Sequence, residues 1–265
     1  MALGISRAGR HIDEHPSACD YADVQIHELY ELYCLVSGDV EYVVEGSVYP
    51  LQPGDVLIAK KAEAHSIRIK SALPYEWITV HFSENMLIGM QKNELIQFLN
   101  DRPLGKNNLF SRVQYGNTQW MYYMDQIRSI VSRARRQLYI TVLLSELFEA
   151  SRDTANVLPQ WGFGVIPDIV NYISAQATSP LRIDTLCRKF YISRAQLNRK
   201  FREYTGCSVW EYLTNKRLLL AQEMLRSGDS PAIACAKAGF NNYTTFYRAY
   251  RKKFGVPPKT DHRWK

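Results

Sequence analysis

The chain has 265 residues, 46% hydrophobic and 22% charged, with five cysteines and a formal net charge of +7. That length suits two domains of ordinary globular composition, and no apolar run approaches the ~20 residues that would span a bilayer, which points away from a membrane protein. The start, MALGISRAGRHIDEH, lacks the apolar core of a signal peptide. Cys19, Cys34, Cys187, Cys207 and Cys235 form no CxxC pair and are odd in number, so reduced thiols and a cytoplasmic location are expected.

The charge is unevenly placed. Residues 182–265 carry 18 Lys/Arg against 6 Asp/Glu, net +12, whereas residues 1–181 carry 15 against 20, net −5. A basic third on an acidic remainder suits a polyanion-binding module attached to something else, although a solvated basic domain has the same balance.

In chain order, residues 1–23 are polar and without clear periodicity, and are expected to be a mobile arm able to close a pocket. Residues 24–83 read as strands. ELYCLVSGDVEYVVEGSVYPLQPGDVLIAKKAEAHSIRI alternates β-formers with turns at Ser37-Gly38-Asp39, Glu45-Gly46-Ser47 and Gln52-Pro53-Gly54-Asp55, and YEWITVHFS adds one more strand. Short strands at this spacing predict a small barrel or sandwich.

After Ser83 the period changes. Residues 84–100 look helical. Residues 118–150 place Trp120, Tyr123, Met124, Ile127, Ile130, Val131, Ala134, Leu138 and Phe148 at spacings of three and four, with Arg128, Arg133, Arg135 and Arg136 on the other side. The pattern predicts one amphipathic helix of about nine turns. It would cover the barrel, form a homodimer seam, or do both. SRDTANVLPQWGFG, residues 151–164, reads as a linker.

Residues 165–265 read as helices near 165–175, 183–190, 194–204, 208–227, 231–238 and 243–254, with a final turn near 258–262. Ser193, Ser230 with Pro231, and Asn242 are suitable starts, and Gly206, Gly228 and Gly255 suitable stops. A shift of 49 residues lays Asn242 on Ser193, Phe246 on Leu197, Arg248 on Arg199, Tyr250 on Phe201, Arg251 on Arg202 and Gly255 on Gly206. Each copy follows a shorter helix, which is the helix-turn-helix layout. The second helix of that motif enters the major groove. The connecting segment 208–227 would span ~30 Å as a helix, close to the ~34 Å between successive major-groove faces.

SRAQLNRKFREYTGCSVWEYLTNKRLLLAQEML and AGFNNYTTFYRAYRKKFGVPPK carry a resemblance to the AraC/XylS family of bacterial transcription regulators. It rests on the spacing of Phe201, Gly206, Tyr212, Arg217, Ala221, Leu225, Gly239-Phe240, Phe246, Arg248, Gly255 and Pro258, and covers about 100 residues. Departures are Cys187 and Cys235 in place of alanine, Ala234 in place of isoleucine, and KTDHRWK at the end. Ala234 is expected to leave the second unit less well packed. HELYELYCLVSG, YPLQPGDVLIAKKAEAH and YEWITVHFS resemble, more weakly, the family's cupin-like sensor domain.

The resemblance implies a two-domain α+β protein. A cupin-like sensing and dimerisation domain would occupy 1–150 (arm 1–23, barrel 24–83, helices 84–150). After the linker 151–164, an all-α double helix-turn-helix domain of about seven helices would occupy 165–265. By position in the motif, Ala195, Asn198, Arg199, Tyr243, Thr244, Tyr247 and Arg248 would read bases. Arg forks onto guanine, Asn onto adenine, and Thr or Ala methyls touch thymine. Ser193, Arg194, Lys200, Asn242, Arg251 and Lys252 suit phosphates. Taken alone each is equally a solvated surface residue, except Arg199 and Arg248, for which base reading is the expected role.

In the sensor, His27, Tyr33, Tyr42, His65, Trp77 and His81 combine aromatic walls with polar groups. They suit a small-molecule effector such as a carbohydrate, and they would equally fill a core. The cupin metal pattern is incomplete: Gln25 stands where a histidine is needed, while His27, Glu31 and His65 remain, so no metal, cofactor or catalytic residue is expected. The implied function is a non-enzymatic transcription regulator, an activator, bound to double-stranded DNA, a small effector and RNA polymerase. The alternatives are a ligand-independent regulator, a metal-dependent cupin enzyme fused to a DNA-binding domain, and an alkyl-accepting repair protein, for which no cysteine sits in a recognisable reactive setting.

Overall fold

The fold is given by a computed structural model that describes residues 7–16, 24–115, 119–152 and 165–261. The chain divides into two compact units, one mainly N-terminal and one built from the C-terminal part together with Val24–Glu28.

The N-terminal unit is two antiparallel sheets and a set of helices. Strands β1 (Arg7–Asp13), β7 (Tyr75–Phe82), β2 (Tyr30–Ser37), β5 (Val56–Ala59) and β8 (Leu109–Phe110) lie in that order in one sheet. The other holds β4 (Ser47–Pro50), β3 (Val40–Val44) and β6 (His65–Ile69). No ladder joins the two sheets among the described residues. Period-two alternation serves two cores at once. On β2, Tyr30, Leu32 and Cys34 point to a core shared with Ile78, Val80 and Phe82 of β7 and with the helices. Tyr33 and Leu35 point the opposite way, to a core shared with Val40, Tyr42 and Val44 of β3. The register pairs Glu31 with His81, Tyr33 with Thr79 and Leu35 with Trp77, so Trp77, Thr79 and His81 share the inner face. Gly38 is required at its turn: its φ is +116°, and a Cβ there would stand 2.2 Å from Tyr75 Cβ.

Three expectations change here. Residues 7–13 of the supposed arm form β1, paired along its whole length with β7, because an open sheet edge offers hydrogen bonds that do not depend on side-chain periodicity. Residues 1–6 and 17–23 lie outside the described residues. The stretch 24–28 is not a strand of the barrel. Residues 84–100 begin with a short 3-10 turn, Glu84–Met86, before α1 (Lys92–Asp101).

The long helix expected over 118–150 is two helices. After the short α2 (Arg112–Tyr115) come α3 (Gln119–Ser129) and α4 (Arg133–Arg152), which fold back on one another with Tyr123 and Tyr139 rings 6.3 Å apart. The bend falls at Ile130-Val131-Ser132. Arg136 Nη2 donates to the Ile130 carbonyl at 2.6 Å, and Arg136 N donates to Ser132 O at 3.0 Å to restart the helix. Doubling back lets Trp120, Met124 and Ile127 of α3 and Ile140, Leu143, Leu144 and Leu147 of α4 all bury against the five-stranded sheet. A single rod would present only one narrow stripe. Of the expected linker, Ser151 and Arg152 end α4, and 153–164 lie outside the described residues.

The C-terminal unit follows the expected order: α5 (Ile166–Ala175), α6 (Ile183–Lys189), α7 (Arg194–Thr205), α8 (Val209–Arg226), α9 (Pro231–Lys237), α10 (Tyr243–Phe254) and a 3-10 turn, Pro258–Thr260. Ser193 with Gln196 and Ser208 with Glu211 form capping boxes, and Asn242 Oδ1 accepts from Thr245 N at 3.0 Å. Such caps contribute about 1 kcal/mol each. Gly206 and Gly255 close α7 and α10 at φ +73° and +75°. The shorter helices α6 and α9 correspond at an offset of 48, not 49, so the second turn is one residue longer.

Ala234 does not loosen the second unit. It is fully buried among Leu218, Ala221, Cys235, Ala238, Phe246 and Tyr250, where its small size lets α9 sit close to α8 and α10. The end of the chain adds a tether: Asp261 Oδ2 accepts from Tyr250 Oη at 2.6 Å and from Gln222 Nε2 at 2.9 Å.

Candidate nucleic-acid interface and sensor interior

In α10, Phe246 and Tyr250 are fully buried, and Phe254 packs on Tyr250 with ring centroids 4.5 Å apart. The other face carries Thr244, Arg248, Arg251 and Lys252 in solvent, with Tyr243 exposed and Tyr247 half-buried, their rings 6.4 Å apart. In α7, Leu197 and Phe201 are buried, whereas Ala195, Asn198 and Arg199 are exposed and Lys200 is half-buried. Among the described residues Arg199 makes an open i,i+4 contact with Glu203 at 3.5 Å, weak enough for a phosphate or guanine to displace. Ser193 and Asn242 spend their side-chain oxygens on caps, which leaves the amide N–H groups of Asn242 as donors.

Lys253 leaves this face. Its Nζ donates to Ile26 O and Asn215 Oδ1, both at 3.0 Å, and burial lowers its pKa. Arg226 pairs with Glu28. These contacts hold Val24–Glu28 to the C-terminal unit, and His27, half-buried, lies in that stretch rather than in the sheets.

The remaining sensor candidates meet between the two sheets, around Glu31, a member of the incomplete metal pattern. Glu31 is 4% exposed. Its Oε1 accepts from Tyr42 Oη at 2.8 Å, and its Oε2 lies 2.8 Å from His81 Nε2 and 3.3 Å from His65 Nε2. A lone carboxylate at that depth would cost several kcal/mol, so these partners are what permits it. His65 Nδ1 lies 2.9 Å from the Glu63 carbonyl, which can only accept, so Nδ1 carries a proton. The other nitrogen then meets Glu31 favourably only when the ring is an imidazolium. Burial lowers the His65 pKa, but the Glu31 carboxylate together with the Glu63 carbonyl and carboxylate outweighs it, and the net shift is upward.

Beside this cluster, the Tyr33 and Tyr42 rings lie 4.8 Å apart, Trp77 stacks on Tyr75 at 4.3 Å, and His11 of β1 stacks on Trp77 at 5.2 Å. Tyr33 Oη is buried and has no hydrogen-bond partner among the described residues. Such a group costs about 1–3 kcal/mol until something bonds it. The Glu31 carboxylate and the imidazoles of His65 and His81 are also donor types that a divalent cation accepts. His11 and Tyr75 were missed in the sequence. β1 gave no periodic signal, and nothing local tells an inner-face tyrosine from core.

Two capped helices, each with an aromatic inner face and a basic outer face, stand in one unit, and a polar cluster lies between two sheets in the other. That is the build of a DNA-binding protein carrying a sensor domain. A helix-turn-helix domain model matches residues 186–263, and an AraC-like ligand-binding domain model matches residues 11–106. The regulatory protein SoxS of Escherichia coli K12 is 33% identical over 100 residues, covering 37% of this chain and 92% of SoxS. The Msm operon regulatory protein of Streptococcus mutans is 21% identical over 245 residues, covering 88% of this chain and 84% of that protein. Solved ToxT of Vibrio cholerae aligns over 96% of this chain and 93% of its own, at 14% identity and a TM-score of 0.43. The chain belongs to the AraC family of transcription regulators. It is a regulator and not an enzyme, and no described helix is long and apolar enough to cross a membrane.

The His65–Glu31 pair makes stability depend on pH. A folded pKa above the unfolded value of ~6.5 means the contribution is fully present below ~pH 6.5 and is lost as pH rises through the folded value. The melting temperature of the N-terminal unit should therefore fall on the alkaline side, and Glu31→Gln should flatten that fall. Parallel pH profiles for the two proteins would show that the pair is not ionised.

Proposed function

We propose that this regulator senses a neutral, hydroxyl-bearing small molecule, a carbohydrate being the class that suits it. The observation that carries this reading is the Glu31 cluster beside stacked Tyr75 and Trp77 and the unsatisfied Tyr33 hydroxyl. Aromatic faces lie flat against sugar rings, while a carboxylate, imidazoles and phenols bond their hydroxyls. The ligand would act by its differential affinity for two arrangements of the protein. Activation through RNA polymerase is the mode of action that the family resemblance suggests. A thermal-shift screen of neutral sugars against organic acids tests the class: a stabilising sugar is expected, and stabilisation by acids alone would overturn it. The same sugar should raise transcript from a template carrying the protein's selected site, whereas a fall would make the protein a repressor.

In this reading α7 and α10 enter adjacent major grooves. Ala195, Asn198, Arg199, Tyr243, Thr244, Tyr247 and Arg248 read bases, and Ser193, Arg194, Lys200, Asn242, Arg251 and Lys252 hold phosphates. At ~1.5 Å per residue the 18 residues of α8 make a spacer of about 27 Å, suited to reading helices one DNA turn apart. Arg248→Ala should weaken the selected site by ~1–3 kcal/mol and relax one base position, whereas Lys252→Ala should weaken all DNA alike. Equal losses on selected and scrambled duplexes for Arg248→Ala would remove it from the base-reading set.

The α3–α4 pair is proposed as the homodimer contact, in place of a single long helix. Tyr122, Val131, Leu138 and Val142 are exposed on it at 51%, 94%, 53% and 42%, more apolar surface than a helix pair needs to leave in water. Leu138→Glu with Val142→Glu should convert dimer to monomer in sedimentation velocity without lowering the melting temperature. A wild-type monomer at micromolar concentration would refute the contact.

A further inference from the structure

The residue that leaves α6 stands in the left-handed region, at φ +51°, and it is a tyrosine, Tyr191. Its counterpart after α9 is Gly239, at φ +89°. Matching hydrogen bonds fix the correspondence: Ile192 N donates to Cys187 O at 3.1 Å, as Phe240 N does to Cys235 O at 3.1 Å. This position after a helix normally takes glycine or asparagine, because the Cβ of a bulky L-residue crowds the backbone there. At Gly239 a side chain is excluded outright, since a Cβ would lie 2.7 Å from Thr178 O. At the first turn a tyrosine is kept in spite of its conformational cost.

Packing does not explain it. Tyr191 is 97% exposed, while its neighbour Ile192 is buried. Its neighbours in the chain are Arg188 and Lys189 in the last turn of α6, then Ser193 and Arg194 at the start of α7, all exposed. A phenol held in solvent beside cations, three residues before the first residue of α7, has the chemistry of a backbone contact.

We propose that Tyr191 is a positioning residue for DNA binding: its hydroxyl donates to a phosphate oxygen beside the groove that α7 enters and fixes the register of that helix. The proposal rests on α7 being a reading helix. Gly239 offers no equivalent, so the two copies hold DNA unequally.

The test uses the full chain and fluorescence anisotropy on two duplexes, one selected by the protein from a random-sequence library and one scrambled. Tyr191→Phe and Tyr191→Gly should each weaken both duplexes alike by about tenfold, the scale of one charge-assisted hydrogen bond, with the melting temperature not lowered. Tyr191→Phe binding within twofold of wild type would overturn the proposal, as would a loss confined to the selected duplex. A defect seen only in polymerase-dependent transcription, with DNA affinity intact, would assign the ring to a protein partner and overturn it as well. Arg199→Ala run in parallel separates the two ideas: no loss on the selected duplex for that variant would sink the reading of α7, whatever Tyr191 does.

Discussion

Strands β2 and β5 of the five-stranded sheet are buried on both faces, and the N-terminal unit is organised by that fact. Leu32, Val80 and Phe82 face helices, while Tyr33, Leu35 and Leu57 face the second sheet. A strand that feeds two cores cannot slip by one residue without exchanging them. The same register sets Glu31 opposite His81 on the inner face, with Tyr42 and His65 brought from the other sheet. The polar cluster is thus a consequence of how the apolar residues pack. It stays buried because each charge has a partner.

The C-terminal unit solves a different problem with one device used twice. A polar cap starts the helix, two aromatic or aliphatic residues hold its inner side, cations cover its outer side, and a left-handed glycine ends it. Local signals of this kind act over a few residues and leave the outer face free to vary. Packing needs Leu197 and Phe201, or Phe246 and Tyr250, and nothing in the core constrains Asn198, Arg199, Thr244 or Arg248. That independence lets one scaffold present two different outer surfaces.

The differences between the copies lie where tertiary contacts intervene. Ala234 looked like a weak point in isolation, but the close approach of α8 and α10 makes a small residue the one that fits. Lys253 belongs by sequence with Arg251 and Lys252, yet it turns inward to Ile26 O and Asn215. Asp261, beyond the last α-helix, is bonded to Tyr250 and Gln222, a tether invisible without the fold. No periodicity reports such contacts, since they join residues far apart in the chain.

The sequence by itself determined the two-domain α+β class, the helix order from α5 to α10 and their caps, because capping boxes, glycine exits and 3.6-residue spacing are written in neighbouring residues. It also placed Arg199 and Arg248 on outer faces, since an amphipathic helix has only one inner side. Only the tertiary structure decided that the apolar stretch after Trp120 bends at Ile130–Ser132, that residues 7–13 complete a sheet, and that Glu31 is the centre of the sensor interior. Each of these turns on what lies across from a residue in space. A sheet edge, a helix partner and a buried carboxylate's donors all come from distant chain, and local pattern carries no record of them.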